Sequence, residues 1–309
     1  MHLERSFTGL GSCKYGLLRS SCALLPVARR ALGVRASSNS LQGKTYLVTG
    51  STDGIGQHTA LNLARAGGNV IIHGRSSQRV DASRQRIEKA AAGGWVKAYT
   101  YDLSSMASVR DFAAAVRHDV QTLNVLLNNA GVFEQRMSKT VDGFEMTWSV
   151  NVMAPFLFTS LLLDSIQDRI VNVSSISAGS SVDFSNLQQE KGFSSHGSYA
   201  LSKIAMMAFT AKLAKRLQKQ GGPTVNCLDP GTVNTKMLEA GWGMCGMPVS
   251  AANGETFLAT DPCVKATTGE YFNGNRVVSM RGEARKTKVQ DRLWTILEQQ
   301  TGAVWPQQS

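Results

Sequence analysis

A tyrosine and a lysine four positions apart, in the stretch Ser198-Tyr199-Ala200-Leu201-Ser202-Lys203, are the residue types of a proton-transfer pair. On a helix, that spacing places Tyr199 and Lys203 on one face. An ammonium held near a phenol favours the phenolate, so the expectation is a tyrosine pKa drawn below its ordinary value near ~10, where it can exchange protons at physiological pH. The same spacing also arises by chance on surface helices. The pair therefore needs partners before it can be read as chemistry.

Two further polar positions qualify. Asn151 stands between Val150 and Val152 in a helical pattern, where asparagine is a poor fit and suggests a bend, a hydrogen bond or a bound water. Ser174 and Ser175 follow the apolar run Arg169-Ile170-Val171-Asn172-Val173. At a strand exit, the Ser175 hydroxyl could donate to a substrate carbonyl, or simply turn the chain. With no histidine placed to serve it, a hydride-transfer site is more economical than a serine-nucleophile triad.

A strand pattern ends in Thr49-Gly50-Ser51-Thr52-Asp53-Gly54-Ile55-Gly56 and runs directly into a helix pattern. Gly50 permits a tight turn, and Gly54 and Gly56 permit close backbone approach. The helix start then offers unpaired N–H groups to a pyrophosphate. The second strand pattern ends His73-Gly74-Arg75 rather than in the carboxylate that would bind a ribose hydroxyl. Arg75 can instead bind a 2′-phosphate through its planar fork of donors, so NADP(H) is expected over NAD(H). Asp53 is awkward in this reading, because a carboxylate near phosphates must point away. Asp102, with Leu103 beside it, follows the third strand pattern, and Asn128-Asn129-Ala130-Gly131 follows the fourth. Both lie where open α/β sheets bind ligands, and Asp102 could accept from an adenine amino group or merely cap a helix near Ser104.

These residues must be positioned by a scaffold, and the chain alternates strand and helix patterns from residue 44 onward. Strands are expected at 45–49, 69–73, 96–101, 123–127, 169–173, 224–228 and 276–279. Helices are expected at 56–66, 80–91, 106–116, 142–165, 199–219 and 251–259. The order predicts an α/β fold, a doubly wound parallel sheet of Rossmann type, and the nearly continuous apolar runs suit strands buried on both faces. With 309 residues, 42% of them hydrophobic, the chain can form one domain over 41–309. No apolar run is expected to approach the ~20 residues of a membrane span.

Residues 1–40 differ in character: Arg5, Lys14, Arg19, Arg29, Arg30 and Arg35 stand against the single acid Glu4, among many serines. That is the composition of a transit peptide to an organelle, mitochondrion or chloroplast; read as a disordered basic tail, it would leave the protein cytoplasmic. The whole chain carries +11, and without the leader a moderate positive charge remains. It has no basic run with interleaved aromatics, so nucleic acid is not an expected partner, whereas a phosphorylated anion is. A homo-oligomer is compatible with the sequence. The cysteines Cys13, Cys22, Cys227, Cys245 and Cys263 show no metal-ligand spacing and read as reduced thiols, and no metal is expected.

Together the glycine loop, Asn128-Asn129-Ala130-Gly131, Asn151, Ser175, Tyr199 with Lys203, and Pro230-Gly231-Thr232-Val233-Asn234-Thr235 resemble the short-chain dehydrogenase/reductase family, over about 43–278. The resemblance implies Ser175 as the catalytic serine, Tyr199 as acid/base, Lys203 as its activator and a ribose ligand, and Asn151 as holder of a relay water. It implies cofactor contacts along Gly50, Ser51, Thr52, Gly54, Ile55 and Gly56, at Asn129, Ala130 and Gly131, and at Pro230, Gly231, Val233 and Thr235. The segment 182–191 and Gly269-Glu270-Tyr271-Phe272 are similar to the branch of retinol dehydrogenases and dehydrogenase/reductase member 12. The implied function is interconversion of a carbonyl and an alcohol on a small molecule. Phe133 to Met137, residues 178–197 and residues 236–249, with Trp242, Met244 and Met247, would choose it, and their apolar character suggests a lipophilic or aromatic compound, whether steroid, retinoid, quinone or xenobiotic. Two other classes share parts of the pattern: a non-catalytic NADP-binding sensor or scaffold, and an epimerase or dehydratase.

Overall fold

The computed structural model describes residues 41–305, so the expected leader lies outside the described residues. Its frame is one eight-stranded sheet, made of β1 (Thr45–Val48), β2 (Asn69–Gly74), β3 (Val96–Thr100), β4 (Leu123–Asn128), β5 (Ile166–Val173), β6 (Thr224–Asp229), β7 (Tyr271–Asn273) and β8 (Arg276–Val278). The spatial order is β3-β2-β1-β4-β5-β6-β7-β8. All neighbours are parallel except β7 and β8, which form an antiparallel edge. The doubly wound expectation therefore holds. The order reverses between β1 and β4, and their carboxyl ends open the crevice where such sheets bind ligands.

In chain order the helices are α1 (Gly54–Arg65), α2 (Ser77–Glu88), α3 (Met106–Asp119), α4 (Met146–Trp148), α5 (Ala154–Leu162), α6 (Ser195–Gln220), α7 (Lys236–Trp242), α8 (Gly254–Thr260) and α9 (Thr287–Thr301). One sheet face is covered by apolar residues of α1, α2 and α8, such as Leu63, Ile87 and Leu258. The other is covered from α3, α5, α6 and α9, through Phe112, Phe156, Phe209 and Leu297. Burial on both faces is why the strands read as unbroken apolar runs rather than alternating ones.

The expected helix at 142–165 begins four residues late. Glu145 stops its extension by capping, its carboxylate accepting from the N–H groups of Thr147 (2.9 Å) and Trp148 (2.7 Å). The helix then widens into a π turn over Ser149–Met153, with Asn151 at its centre. The misfit asparagine thus does mark an irregularity. The 20-residue stretch Met146–Ser165 also corrects the reading that no run approaches membrane length: an 18-residue window of it has a mean hydropathy of 1.4, but 83% of that window is buried within the protein. Its apolarity serves the core. Helix α6 starts earlier than expected because Ser194 accepts from the Gly197 N–H (3.2 Å), and it stops at Gly221, which takes the left-handed conformation at φ 66. Neither β7, α7 nor α9 was expected from sequence pattern.

Candidate active site

The glycine loop is held from behind by polar groups that face inward. The Thr49 hydroxyl accepts from the N–H groups of Asn129 (3.1 Å) and Ala130 (3.0 Å). In return the Asn129 amide donates to the carbonyls of Thr49 (2.7 Å) and Gly50 (3.1 Å). These bonds lock the exits of β1 and β4 together across the switch point. There is no space for side chains there: a Cβ on Gly50 would lie 2.8 Å from the Ala130 Cα, and one on Gly56 would lie 2.3 Å from Asn129 Nδ2. Gly50 also needs its positive φ of 65.

Several expected ligand residues turn out to be occupied by this framework. Ser51 is fully buried, its hydroxyl donating to the Val48 carbonyl (2.8 Å) and accepting from the His73 N–H (2.9 Å), while its own N–H donates to the His73 carbonyl (2.9 Å) and its carbonyl accepts from Ser83 (2.9 Å). Asn128 is buried and donates to Thr159 and Asn172, which removes its side chain from the crevice it was expected to line. Leu103 is buried as well. Asp102 is exposed and accepts from the Ser104 N–H (2.9 Å), which closes a turn; the helix cap expected near Ser104 is Ser105, whose hydroxyl accepts from the Ser108 N–H (3.4 Å). Thr52 and Ile55 are half-buried on the loop, and Arg75 is exposed at the end of β2.

Asp53 caps α1 by accepting from the Gly54 N–H (2.8 Å) and forms ion pairs with Lys236 (2.8 Å) and Arg79 (3.1 Å). Lys236 above all holds its carboxyl below the usual range. Its charge therefore turns toward cations. Sequence pattern gave no role to His73, which sits beneath the loop. Its Nδ1 accepts from the Gly50 N–H (3.2 Å), which leaves Nε2–H to donate to the Tyr101 carbonyl (3.0 Å). Burial pushes its pKa down to about 4, so the ring stays neutral and keeps that tautomer. Its position at a strand end just before Gly74 was the only available signal.

Across the crevice, Ser175, Tyr199, Lys203 and Asn151 converge from the β5 exit, α6 and the π turn. The Ser175 hydroxyl accepts from the Ser177 N–H (3.0 Å), which leaves its own proton free to donate, and it lies beside the Tyr199 phenol. The Lys203 ammonium lies 5.3 Å from the centre of the Tyr199 ring and donates to the Val173 carbonyl (3.0 Å) rather than to the phenol. The expected lowering of the tyrosine pKa is not found. Desolvation outweighs the Ser175 hydrogen bond and raises Tyr199 to about 12. Burial lowers Lys203 to about 8, which still leaves it mostly charged at neutral pH.

Asn151 accepts from the Val132 N–H (2.8 Å) and donates to the Val132 carbonyl (3.0 Å) and the Ser202 hydroxyl (3.1 Å). Both amide protons are thus engaged in fixing the strand exit to α6. A Cβ on Gly131 would sit 3.3 Å from Asn151 Oδ1 and 3.6 Å from Lys203 Nζ, so a side chain there would crowd the Asn151 amide. On the third side, Pro230 and Gly231 (φ 87) leave β6, Val233 is buried, and Thr235 caps α7 by accepting from the Leu238 N–H (3.2 Å). A Cβ on Gly54 would lie 3.3 Å from the Thr235 methyl carbon, so this loop meets the glycine loop directly.

Beyond Tyr199 the walls are aromatic. The ring of Phe133 lies 5.7 Å from that of Tyr199 and 5.0 Å from that of Trp242, and Trp242 lies 5.6 Å from Tyr199 and 5.0 Å from His196. All of these pairs are tilted or edge-on, the favoured geometry for rings. Most of the segment 178–197 packs elsewhere, with Val182 and Leu187 buried in the core. Of that segment, His196 is the residue that joins the rings.

The glycine cradle, the α1 start and the bare Gly131 fit a dinucleotide laid across the switch point. The family model for short chain dehydrogenases matches residues 44–243. Human retinol dehydrogenase 13 is 35% identical over 284 residues, covering 85% of this chain and 86% of that protein. Human polyprenol dehydrogenase is 32% identical, covering 84% and 86%. Among solved structures, an uncharacterized Mycobacterium paratuberculosis protein superimposes with a TM-score of 0.74 at 28% identity, over 88% of this chain and 98% of that one. A metagenomic blue fluorescent protein in complex with NADPH gives a TM-score of 0.62 at 27% identity, over 77% and 97%. The chain belongs to the short-chain dehydrogenase/reductase family and is an NAD(P)-dependent oxidoreductase acting on CH–OH groups. Within the family it falls in the retinol dehydrogenase branch.

Proposed function

We propose that the protein interconverts a carbonyl and an alcohol on a small lipophilic molecule, using NADP(H), with Tyr199 as acid and base. The observation that carries this reading is the buried Tyr199–Lys203 pair on α6, the ammonium 5.3 Å from the centre of the phenol ring, with Ser175 at the β5 exit beside it. Bound in the cradle, the nicotinamide supplies the hydride that adds to the carbonyl carbon. As that bond forms, the carbonyl π pair moves onto oxygen, and Tyr199 transfers its proton there. Ser175 donates to the same oxygen and stabilises its growing charge. Lys203, close to the Tyr199 ring and cationic at neutral pH, stabilises the tyrosinate left behind. Asn151 holds Val132 and Ser202 in place, and a relay water would have to use its remaining Oδ1 lone pair.

The exposed Arg75 and the missing acid at the end of β2 favour NADP(H). The rings around Tyr199 favour an apolar substrate, and the retinol and polyprenol in the names of relatives place isoprenoid alcohols on the test panel. Titration should show tighter binding of NADPH than of NADH. NADPH oxidation should then be followed with all-trans-retinal, a polyprenal, nonanal, phenanthrenequinone and a steroid ketone. Tighter NADH binding would overturn the cofactor preference. NADPH binding without turnover on any carbonyl would move the reading to a sensor, or to an epimerase or dehydratase if the bound cofactor cycled. The composition of residues 1–40 supports import into an organelle, testable with fluorescent fusions that carry or lack them.

A further inference from the structure

His196 stands in the first turn of α6, three residues before Tyr199, and takes no part in proton or hydride transfer. Its ring meets that of Phe133 edge-on at 5.1 Å and that of Trp242 edge-on at 5.0 Å. Its Nε2 lies 3.1 Å from the Gly241 carbonyl oxygen. A carbonyl only accepts, so Nε2 carries the proton of this bond. We propose that His196 is a specificity-determining residue: by pinning the end of α7 it fixes the outer wall of the substrate site, and so limits the width of the carbonyl compound that reaches Tyr199.

The wall needs such a pin because α7 buries none of its residues, so packing does little to hold it. The helix rides on a flap whose base is stitched shut. There the Asn234 N–H donates to the Met247 carbonyl (2.9 Å), the Met247 N–H to the Thr232 carbonyl (2.8 Å), and the Gly246 N–H to the Asn234 side-chain oxygen (2.7 Å). The near end of α7 is tied to the glycine loop through Lys236 and Asp53. At its far end two successive carbonyls are held, that of Ala240 by Gln135 (2.9 Å) and that of Gly241 by His196. Gln135 lies on an exposed bend of the chain, whereas His196 belongs to the same 26-residue helix as Tyr199. The His196 bond therefore sets the distance between the wall and the phenol. What it places is the next residue, Trp242, whose ring stands 5.6 Å from that of Tyr199. The pinned turn also lies flat on its neighbour, since a Cβ on Gly241 would be 3.2 Å from the Phe133 ring. With Phe133 and Trp242 both edge-on to the phenol, a slender acyl chain passes more easily than a fused-ring frame whose substituents stand above and below its plane. Releasing the Gly241 carbonyl lets Trp242 swing outward and removes that preference.

This role rests on the reading of Tyr199 as the site of carbonyl reduction, so one arm of the experiment does not depend on turnover. Two variants separate the donor from the ring, and because His196 is exposed both should fold as the parent does. His196→Phe keeps a ring against Phe133 and Trp242 but loses the bond to Gly241. His196→Gln keeps a donor of similar reach but loses the ring. Amide hydrogen exchange in peptides covering 236–243 should accelerate by about three- to tenfold in His196→Phe and stay near the parent rate in His196→Gln. With NADPH as reductant, the ratio of kcat/KM for nonanal to that for a steroid ketone should fall by about three- to tenfold in His196→Phe, the change falling on KM. In His196→Gln that ratio should hold within about twofold, while KM for both compounds rises by about two- to threefold from the lost ring contacts. If either the exchange or the ratio is unchanged in His196→Phe, or if the ratio falls as far in His196→Gln, the proposal is overturned. A parent protein that binds NADPH and reduces no carbonyl would instead overturn the reading beneath it, whatever the exchange at 236–243 shows.

Discussion

The two walls of the crevice are built by different physics. On the cofactor side, Thr49, Gly50, Asn129 and Ala130 are interlocked by backbone and amide hydrogen bonds, with no space for an added methyl. On the substrate side, Phe133, His196 and Trp242 meet through ring contacts. The carbonyls at the end of α7 are held there by single bonds from Gln135 to Ala240 (2.9 Å) and between His196 and Gly241 (3.1 Å). Nearby Met137, Met244 and Ile176 are exposed. A wall fixed by hydrogen-bond geometry accepts one ligand shape, because each buried polar group must keep its partner. A wall of rings and methionines can repack around different apolar molecules. The difference predicts that dinucleotide binding and substrate choice can be altered separately.

Tyr199 stands where the walls meet, and its loss should have the largest effect. Tyr199→Phe removes the proton but keeps the ring that Phe133 and Trp242 pack against. Turnover should fall by about a hundredfold or more, with NADPH affinity and melting temperature close to unchanged. Loss of NADPH binding in this variant would mean that the walls are not separable at their junction.

Next comes the buried polar network under the cofactor side. Glu255 on α8 is fully buried; it accepts from Thr59 of α1 (2.9 Å), and its other oxygen has no partner. Burial raises its pKa from 4.5 to about 7. The folded protein thus holds this proton more tightly than the unfolded chain does. Its contribution is fully present below pH 4.5 and lost as pH rises to about 7. Glu255→Gln should therefore match the parent near pH 4.5 and gain on it with rising pH, by up to about 3 kcal/mol at pH 8. Denaturant unfolding at several pH values would measure the gap, and a constant gap would remove the buried charge from the argument. Gly56→Ala tests the same wall sterically. The new methyl must displace Asn129 or the Gly50 carbonyl, at a cost of about 1–3 kcal/mol, so NADPH affinity should drop by tenfold or more. Normal NADPH affinity in that variant would show the cradle to be softer than its hydrogen bonds imply.

This contrast also explains what could be read from the residues in advance. The parallel sheet and the glycine loop were legible because burial on both faces and a bare turn leave strong marks in sequence. Asn151 was legible as a misfit, and a π turn is what it marks. The direction of the Tyr199 shift was not, since Lys203, near in sequence, donates to the Val173 carbonyl, while the burial that sets the shift comes from distant segments, Phe133 and Trp242 among them. The buried hydrogen bonds of the Ser51 and Asn128 side chains were not legible, because a motif gives positions, not the direction in which a side chain points. Helix α9 went unseen because its buried face is narrow, with Leu293, Trp294 and Leu297 set among polar residues.

The smallest expected effect falls on the aromatic wall. Trp242 is 38% exposed and contacts Phe133, His196 and Tyr199 by their rings alone. Such pairs contribute about 0.5–1.5 kcal/mol each beyond the area they bury. Trp242→Ala should therefore raise KM for apolar carbonyls by about two- to tenfold, most for those with flat or conjugated frames, and Trp242→Phe should recover much of it. The NADPH dissociation constant should not move, because no hydrogen bond of the glycine loop passes through α7 beyond its first turn, where Lys236 meets Asp53. If NADPH affinity fell along with KM, the two walls would act as one unit, and exchanging the residues around Trp242 would not redirect the enzyme without weakening its hold on the cofactor.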